Sequence, residues 1–195
     1  MNRYKTLALA AFGFTGLWGQ GTHFGMQVGG VIPQGDTQTA VSSAKGYLVG
    51  FNVNFDSASG FTFRPSLTYS STQGTGPSGL SIVYYTYQDR VSTTLLSFDA
   101  IYHVQQTPDG VYLLGGIGAA DTKLEVSNGP QGSQGKDGVG FAWGVGLGWQ
   151  SRSLLGVELC YRSTKPKLTN DAYYPTFGQS TFDASALTVA LTFKF

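Results

Sequence analysis

The feature that most constrains this chain is a two-residue alternation that returns along most of its length and is unbroken over the last nine residues. In residues 187–195, Leu187, Val189, Leu191, Phe193 and Phe195 are apolar, while Thr188, Ala190, Thr192 and Lys194 between them are small or polar. A period of two reads as a strand whose two faces differ in character. The pattern is plain again in Tyr47, Val49, Phe51, Val53 and Phe55 against Leu48, Gly50, Asn52 and Asn54. It is clearest in Phe141, Trp143, Val145, Leu147 and Trp149 against Gly140, Ala142, Gly144, Gly146 and Gly148. Taken singly, such a stretch also fits an edge strand of a soluble sandwich.

Along the chain the alternation predicts strands over 22–32, 45–55, 61–69, 91–104, 111–120, 140–149, 154–163 and 187–195. Pro65 cannot donate to a ladder and is expected to mark a bulge. The stretch 111–120 is apolar or glycine at both parities, with Leu113 and Ile117 expected outward. Residues 33–44, 71–90, 122–138 and 164–181 are expected to be loops. Two of these carry tyrosines suited to contact, Tyr84, Tyr85 and Tyr87 in one and Tyr173 and Tyr174 in the other. Extension of the flanking strands, with these tyrosines in cross-strand pairs, is an equal alternative. The seven connections come to about 12, 5, 20, 6, 17, 3 and 18 residues, alternating long and short. A sandwich has no reason to sort its loops in this way, whereas a transmembrane barrel puts short turns on one side and long loops on the other.

Composition agrees. Charged residues are 12% and aromatics 14% of the chain, and the mean hydropathy is near zero. Only every second residue of a barrel strand meets lipid, so a membrane barrel tolerates both facts. Strand charges sort the same way: Arg64, Asp99, Glu158, Arg162 and Lys194 all take the parity opposite to their strand's apolar set. A charge facing the lipid midplane costs about 2–4 kcal/mol. Aromatic residues gather near the strand ends as interfacial belts would, with Tyr47, Tyr69 and Tyr161 at one end and Phe55, Phe61, Tyr102, Trp149 and Phe195 at the other.

The N-terminus has Arg3 and Lys5, an apolar run from Thr6 to Trp18, and Gly19-Gln20-Gly21 as a small-x-small cleavage site. That is the layout of a secretory signal. Residues 1–21 are therefore expected to be removed and 22–195 to form one barrel domain. The whole chain has 12 basic and 11 acidic residues; loss of Arg3 and Lys5 leaves 10 against 11. Neither count suits nucleic acid, and no basic stripe is present. Cys160 is the only cysteine, so no internal disulfide can form.

With its alternating final strand and terminal Phe195, the chain resembles the bacterial outer-membrane barrels, whose last strand (here Leu187, Val189, Leu191, Phe193 and Phe195) is read by the barrel assembly machinery. As a whole it resembles the small eight-stranded members of the OmpA-transmembrane-domain, OmpX and opacity-protein type. The resemblance implies an all-β, eight-stranded antiparallel up-and-down transmembrane β-barrel in the outer membrane, surrounded by its lipid, with both termini periplasmic and four outer loops.

Eight strands enclose a space just wide enough for side chains. The inward parity puts Arg64, Asp99, His103, Glu158 and Lys194 in the periplasmic half of the lumen, with Arg162 higher. Neighbouring strands suggest that Arg64 pairs with Asp99 and Glu158 with Lys194. A polar plug is the favoured reading. A narrow conduit is the alternative, since the inward positions of 140–148 are Gly or Ala. His103 is followed by Val104 and Gln105, so the His-x-Ser pair of the lipid A deacylases is missing. Asp99 is an orienter candidate for His103, but no nucleophile is identifiable. No metal or cofactor is expected. The expected function is non-enzymatic, structural or surface-contact, with a surface partner at the outer loops. A lipid-modifying enzyme and a soluble periplasmic ligand-binding barrel stand as further alternatives.

Overall fold

The computed structural model describes residues 21–40, 45–57, 59–75, 88–127, 133–152, 154–168 and 180–195. Within them are strands β1 (Gly21–Pro33), β2 (Lys45–Asp56), β3 (Phe61–Thr75), β4 (Gln88–His103), β5 (Gly110–Ser127), β6 (Ser133–Gln150) and β7 (Leu155–Thr164). They are followed by β8 (Lys167–Leu168), β9 (Ser180–Thr181) and β10 (Ala186–Lys194), and a short helix α1 (Gly35–Ala40) follows β1. Eight strands close in the order β1-β10-β7-β6-β5-β4-β3-β2, every neighbour antiparallel, and β8 pairs with β9 separately. Residues 1–20 of the expected signal segment lie outside the described residues.

Alternation explains the closure. The outward set is apolar on every wall: Phe24, Phe51, Phe63, Leu67, Phe98, Leu113, Ile117, Phe141, Val145, Leu147, Val157 and Leu191 are each at least 42% exposed. The inward set is small or polar and buried, as with Thr62, Ser66, Thr68, Ser97, Thr122 and Thr192. This is the reverse of a water-soluble protein, where such an exterior would be an aggregation hazard. Leu113 and Ile117 face outward as expected, and Tyr112 and Leu114 face in. Rings pair near both ends of the wall, Tyr47 with Tyr69 (6.2 Å) and Trp143 with Tyr161 (5.9 Å) near one, Phe61 with Tyr102 (5.1 Å) near the other.

The short connections lie at one end, after β2, β4 and β6. Gly60 (φ 76°) and Gly110 (φ 94°) supply left-handed backbone there. The opposite, long-loop end differs from expectation in four places. The stretch 71–90 is strand at both its ends, with β3 running to Thr75 and β4 starting at Gln88. The stretch 122–138 is mostly strand, because β5 and β6 pair from Gly110↔Gln150 up to Ser127↔Ser133. Above the apolar band the outward positions Lys123 and Glu125 are charged and Leu124 turns inward to the cap, so the apolar parity of Leu113 and Ile117 is reversed although the ladder continues. The stretch 33–44 holds α1 rather than loop alone. The segment after β7 is not a plain loop: Pro166 and Leu168 are buried, and Phe182 and Ala184 donate backbone N–H groups to Pro166 and Thr164. Pro65 makes no bulge, since the register is the same on both sides of it, Asn52↔Ser66 and Phe55↔Phe63. Proline removes one donor without adding a residue, so pairing lapses locally and the register holds.

Candidate functional site: the lumen and its two ends

The middle of the lumen is crossed by a charged bridge. Arg64 on β3 and Glu158 on β7 stand on opposite walls, four strands apart either way round the ring. Arg64 Nη1 donates to Glu158 Oε2 at 2.7 Å and Nη2 to Oε1 at 3.2 Å. The same guanidinium donates to Asp99 Oδ2 on β4 at 3.1 Å. Arg162 Nη2 donates to both oxygens of Asp99, at 3.0 and 2.9 Å. The Tyr112 hydroxyl donates to Glu158 Oε2 at 3.0 Å. Two cations and two anions thus balance. Buried charges survive only when paired and hydrogen-bonded in this way.

The glycine-lined inner face of β5 and β6 gives these side chains their room. A Cβ at Gly116 would overlap the Asp99 carboxylate, one at Gly148 the Tyr112 ring, and one at Gly144 would come within 2.9 Å of Arg162 Cγ. The inward Gly and Ala of 140–148 are therefore filled space. Below the bridge Ile101, Tyr112, Leu114 and Cys160 pack together, and above it Leu95, Ala120 and Ala142. At the long-loop mouth Val91, Leu168 and Phe182 form a cap with Ala40, Leu124 and Ala184 against it. The backbone of Lys165–Lys167 lies on the inner face of β6, where a Cβ at Gly140 would meet Pro166 N at 2.7 Å. Asp36 and Asp183 tie α1 to this cap: Asp36 N donates to Asp183 O (3.0 Å) and Asp183 N to Asp36 Oδ2 (2.8 Å).

The short-turn end is open. A small recess is lined there by Asn54, Asp56, Thr62, His103, Thr192 and Lys194, among others, with Arg64 also in its lining. Lys194 Nζ donates to Asp56 Oδ2 at 2.7 Å, and Thr62 Oγ1 donates to Asp56 Oδ1 at 2.6 Å. Thr62 Oγ1 also stands 3.1 Å from His103 Nε2.

Arg64, Asp99, Glu158 and Arg162 thus come together, and Arg64 pairs with Asp99 as the strand order suggested. Glu158 does not pair with Lys194. Along the β7–β10 ladder Glu158 lies opposite Ala190, four residues from Lys194, so Glu158 reaches across to Arg64 and Lys194 reaches past β1 to Asp56 on β2. His103 is not oriented by Asp99. Asp99 is taken by two arginines, and His103 contacts Thr62 and, ring to ring at 5.6 Å, Tyr112. Leu187, Val189, Leu191, Phe193 and Phe195 form the outward face of the final strand, and Phe195 N donates to Phe24 O at 2.8 Å. Tyr84, Tyr85, Tyr87, Tyr173 and Tyr174 lie outside the described residues. Sequence reasoning missed Tyr112 and Asp56. Strand 111–120 has no clean parity, and Asp56 falls just beyond the strand expected over 45–55, whereas β2 includes it. Among the described residues no cluster of three or more His, Cys, Asp or Glu could hold a metal.

Closed all round, apolar outside and polar inside, this is the geometry of a barrel built to stand in lipid. Residues 6–195 match the family model described as outer membrane protein beta-barrel domain, and the chain belongs to that family. Among solved structures it is similar to Ail, the attachment invasion locus protein of Yersinia pestis, in complex with the heparin analogue sucrose octasulfate. The TM-score is 0.57 at 11% identity, covering 89% of this chain and 97% of that one. It is similar to Neisserial surface protein A (TM-score 0.54, 12% identity, 89% and 97% covered). It is also similar to the N-terminal β-barrel domain of Pseudomonas aeruginosa OprF (0.51, 14%, 91% and 99%). No curated protein sequence matches the chain.

Proposed function

We propose that this protein is a non-enzymatic barrel of the bacterial outer membrane that serves as a rigid support for surface contact. In this reading residues 1–21 direct export and are removed, and both termini face the periplasm. The assembly machinery reads the final strand, and the long-loop end meets the outside. The observation that carries the reading is the filled lumen. The Arg64 bridge spans its diameter and an apolar cap closes the mouth, so the outward-facing loops remain the surface for interaction. The same filling speaks against a conduit, and the apolar exterior against a soluble ligand-binding barrel. That one similar structure is an attachment protein and another a surface protein supports contact as the role.

Two measurements test it. In planar bilayers the purified protein should give no discrete conductance steps; steady unitary currents would contradict the plug. Cells expressing the protein should adhere to an epithelial monolayer more than cells expressing a variant with the β5–β6 hairpin cut back to Ala120 and Gly140. Equal adhesion would remove the contact role from this hairpin.

A further inference from the structure

Seven of the eight interfaces in the ring join strands that are consecutive among the barrel strands, whereas the β1–β10 seam joins two strands that no turn connects. A connecting turn limits the register of its hairpin, and the seam has none. Its lipid-facing side does not replace it. Met26, Val28, Gly30 and Ile32 lie opposite Phe193, Leu191, Val189 and Leu187, and a slide of two residues still sets apolar against apolar. On the lumen side Gln27, Gly29 and Val31 lie opposite Thr192, Ala190 and Thr188, all three small or polar. A two-residue slide returns every side chain to its own face, so the alternation that builds the wall is blind to it. Such a slide changes the stagger of the ring, and strand tilt and lumen width change with it.

Beyond the ladder, the seam is held at both ends by contacts that depend on register. At the short-turn end Lys194 lies opposite Gly25 of β1, and Gly25 lies opposite Asn52 of β2. Asp56, which accepts from the Lys194 ammonium at 2.7 Å, is further along β2 towards the short turn. One bond therefore reads two interfaces at once, across β1. At the long-loop end the segment before β10 is bonded to the segment after β1. Gln34 N donates to Ser185 O at 2.8 Å, and Asp36 N and Thr37 N donate to Asp183 O at 3.0 and 3.3 Å. Asp183 N donates in return to Asp36 Oδ2 at 2.8 Å. Gly35 (φ 61°) makes the left-handed turn between them, and a Cβ there would lie 2.7 Å from Asp183 Cγ. Sliding β10 by two residues moves it about 7 Å. A slide either way parts Asp183 from Asp36. A slide towards the long-loop end also draws Lys194 away from Asp56, leaving a buried carboxylate without its cation, which is costly.

We propose that these two clasps are a register device for closing the barrel: the Asp36–Asp183 clasp bars sliding of β10 along β1 in both directions, and the Lys194–Asp56 bond bars sliding towards the long-loop end. The ladder supplies adhesion between β1 and β10, and the clasps choose the stagger at which it forms. Choosing a register is the best-attested use of a buried ion pair. The stagger in turn sets the width of the lumen that the Arg64–Glu158 bridge has to span.

The test combines Val28→Cys with Leu191→Cys, Val189→Cys or Phe193→Cys, in a Cys160→Ser chain so that no other thiol is present. Each protein is folded from urea into phosphatidylcholine vesicles, without assembly machinery, and oxidised with copper phenanthroline. Val28 and Leu191 are directly opposed. Position 28 meets position 189 only after a slide towards the short-turn end, and position 193 only after the opposite slide. With both clasps intact the two slid pairs should give about tenfold less disulfide than the native pair, because diagonal neighbours lie beyond bridging distance. Replacing α1 by a Gly–Ser linker of equal length should raise the 28–189 disulfide to the level of the native pair and leave 28–193 low. Adding Lys194→Met should raise 28–193 as well. Arg64→Met weakens the lumen away from the seam and should leave the native pair alone. Native pairing that persists with both clasps removed overturns the proposal. So does a 28–193 disulfide that rises before Lys194 is changed, or slid pairs that form equally in Arg64→Met. Gel mobility with and without boiling shows which variants are folded. If the doubly changed barrel is not, Asp36→Ala with Lys194→Gln is read by the same criteria.

Discussion

Arg64 carries more of the interior than any other residue. It holds two carboxylates from two walls, and it is 4% exposed. Arg64→Met leaves Glu158 with only Tyr112 and Asp99 with only Arg162. Breaking a buried ion pair from one side typically costs about 3–5 kcal/mol, and a urea titration in vesicles should show a loss of that order. A change within error of wild type would mean the bridge is not held in the folded protein. Two adjacent glycines give a sharper contrast. Gly115 faces outward with nothing within 4 Å of an added Cβ, whereas at Gly116 the Cβ would overlap Asp99 and lie 3.0 Å from Phe98 O. In the same titration Gly116→Ala should lose about 1–3 kcal/mol, the usual cost of overpacking, and Gly115→Ala should be near neutral.

At the scale of the element, β10 closes the ring, and its end is fastened by a side chain as well as by the ladder. Lys194 pairs in backbone register with Gly25 of β1 but sends its ammonium past that strand to Asp56 of β2. The pair is mostly buried, at 22% and 11% side-chain exposure. Lys194→Met should therefore lower the barrel's thermal midpoint, by the equivalent of about 1.5–3 kcal/mol for a hydrogen bond to a charged group. Combined with Asp56→Asn, the two losses should be less than additive if the residues act as a pair. Elements also show what the sequence could and could not disclose. Strands were legible where lipid demands an apolar residue at every second position, as in 47–55 and 141–149. They were not legible at 122–127 and 133–138, where the outward positions of β5 carry Lys123 and Glu125 instead of apolar residues and the facing stretch of β6 is polar throughout. The Arg64–Asp99 pair was legible because the two face each other across one ladder. The Arg64–Glu158 contact was not, because it crosses the lumen between strands four apart, and sequence order carries no signal for which side chains meet there.

For the molecule as a whole, one inversion organises the rest. The apolar residues are outside and the charges inside, so the fold is stable only where hydrocarbon replaces water around the wall. Closing the sheet removes every free edge, since β1 pairs with both β2 and β10. Eight strands leave a lumen that side chains can fill, and here they do so from the bridge to the cap. What remains accessible is a polar recess at the short-turn end and the long-loop end. The most direct test is to express the protein, separate the membranes, and run the outer-membrane fraction on a detergent gel with and without boiling. A closed barrel resists the detergent until heated, so the account predicts a band in that fraction whose mobility shifts on boiling. A protein found in the soluble fraction with no shift would contradict the lipid-facing assignment of every strand.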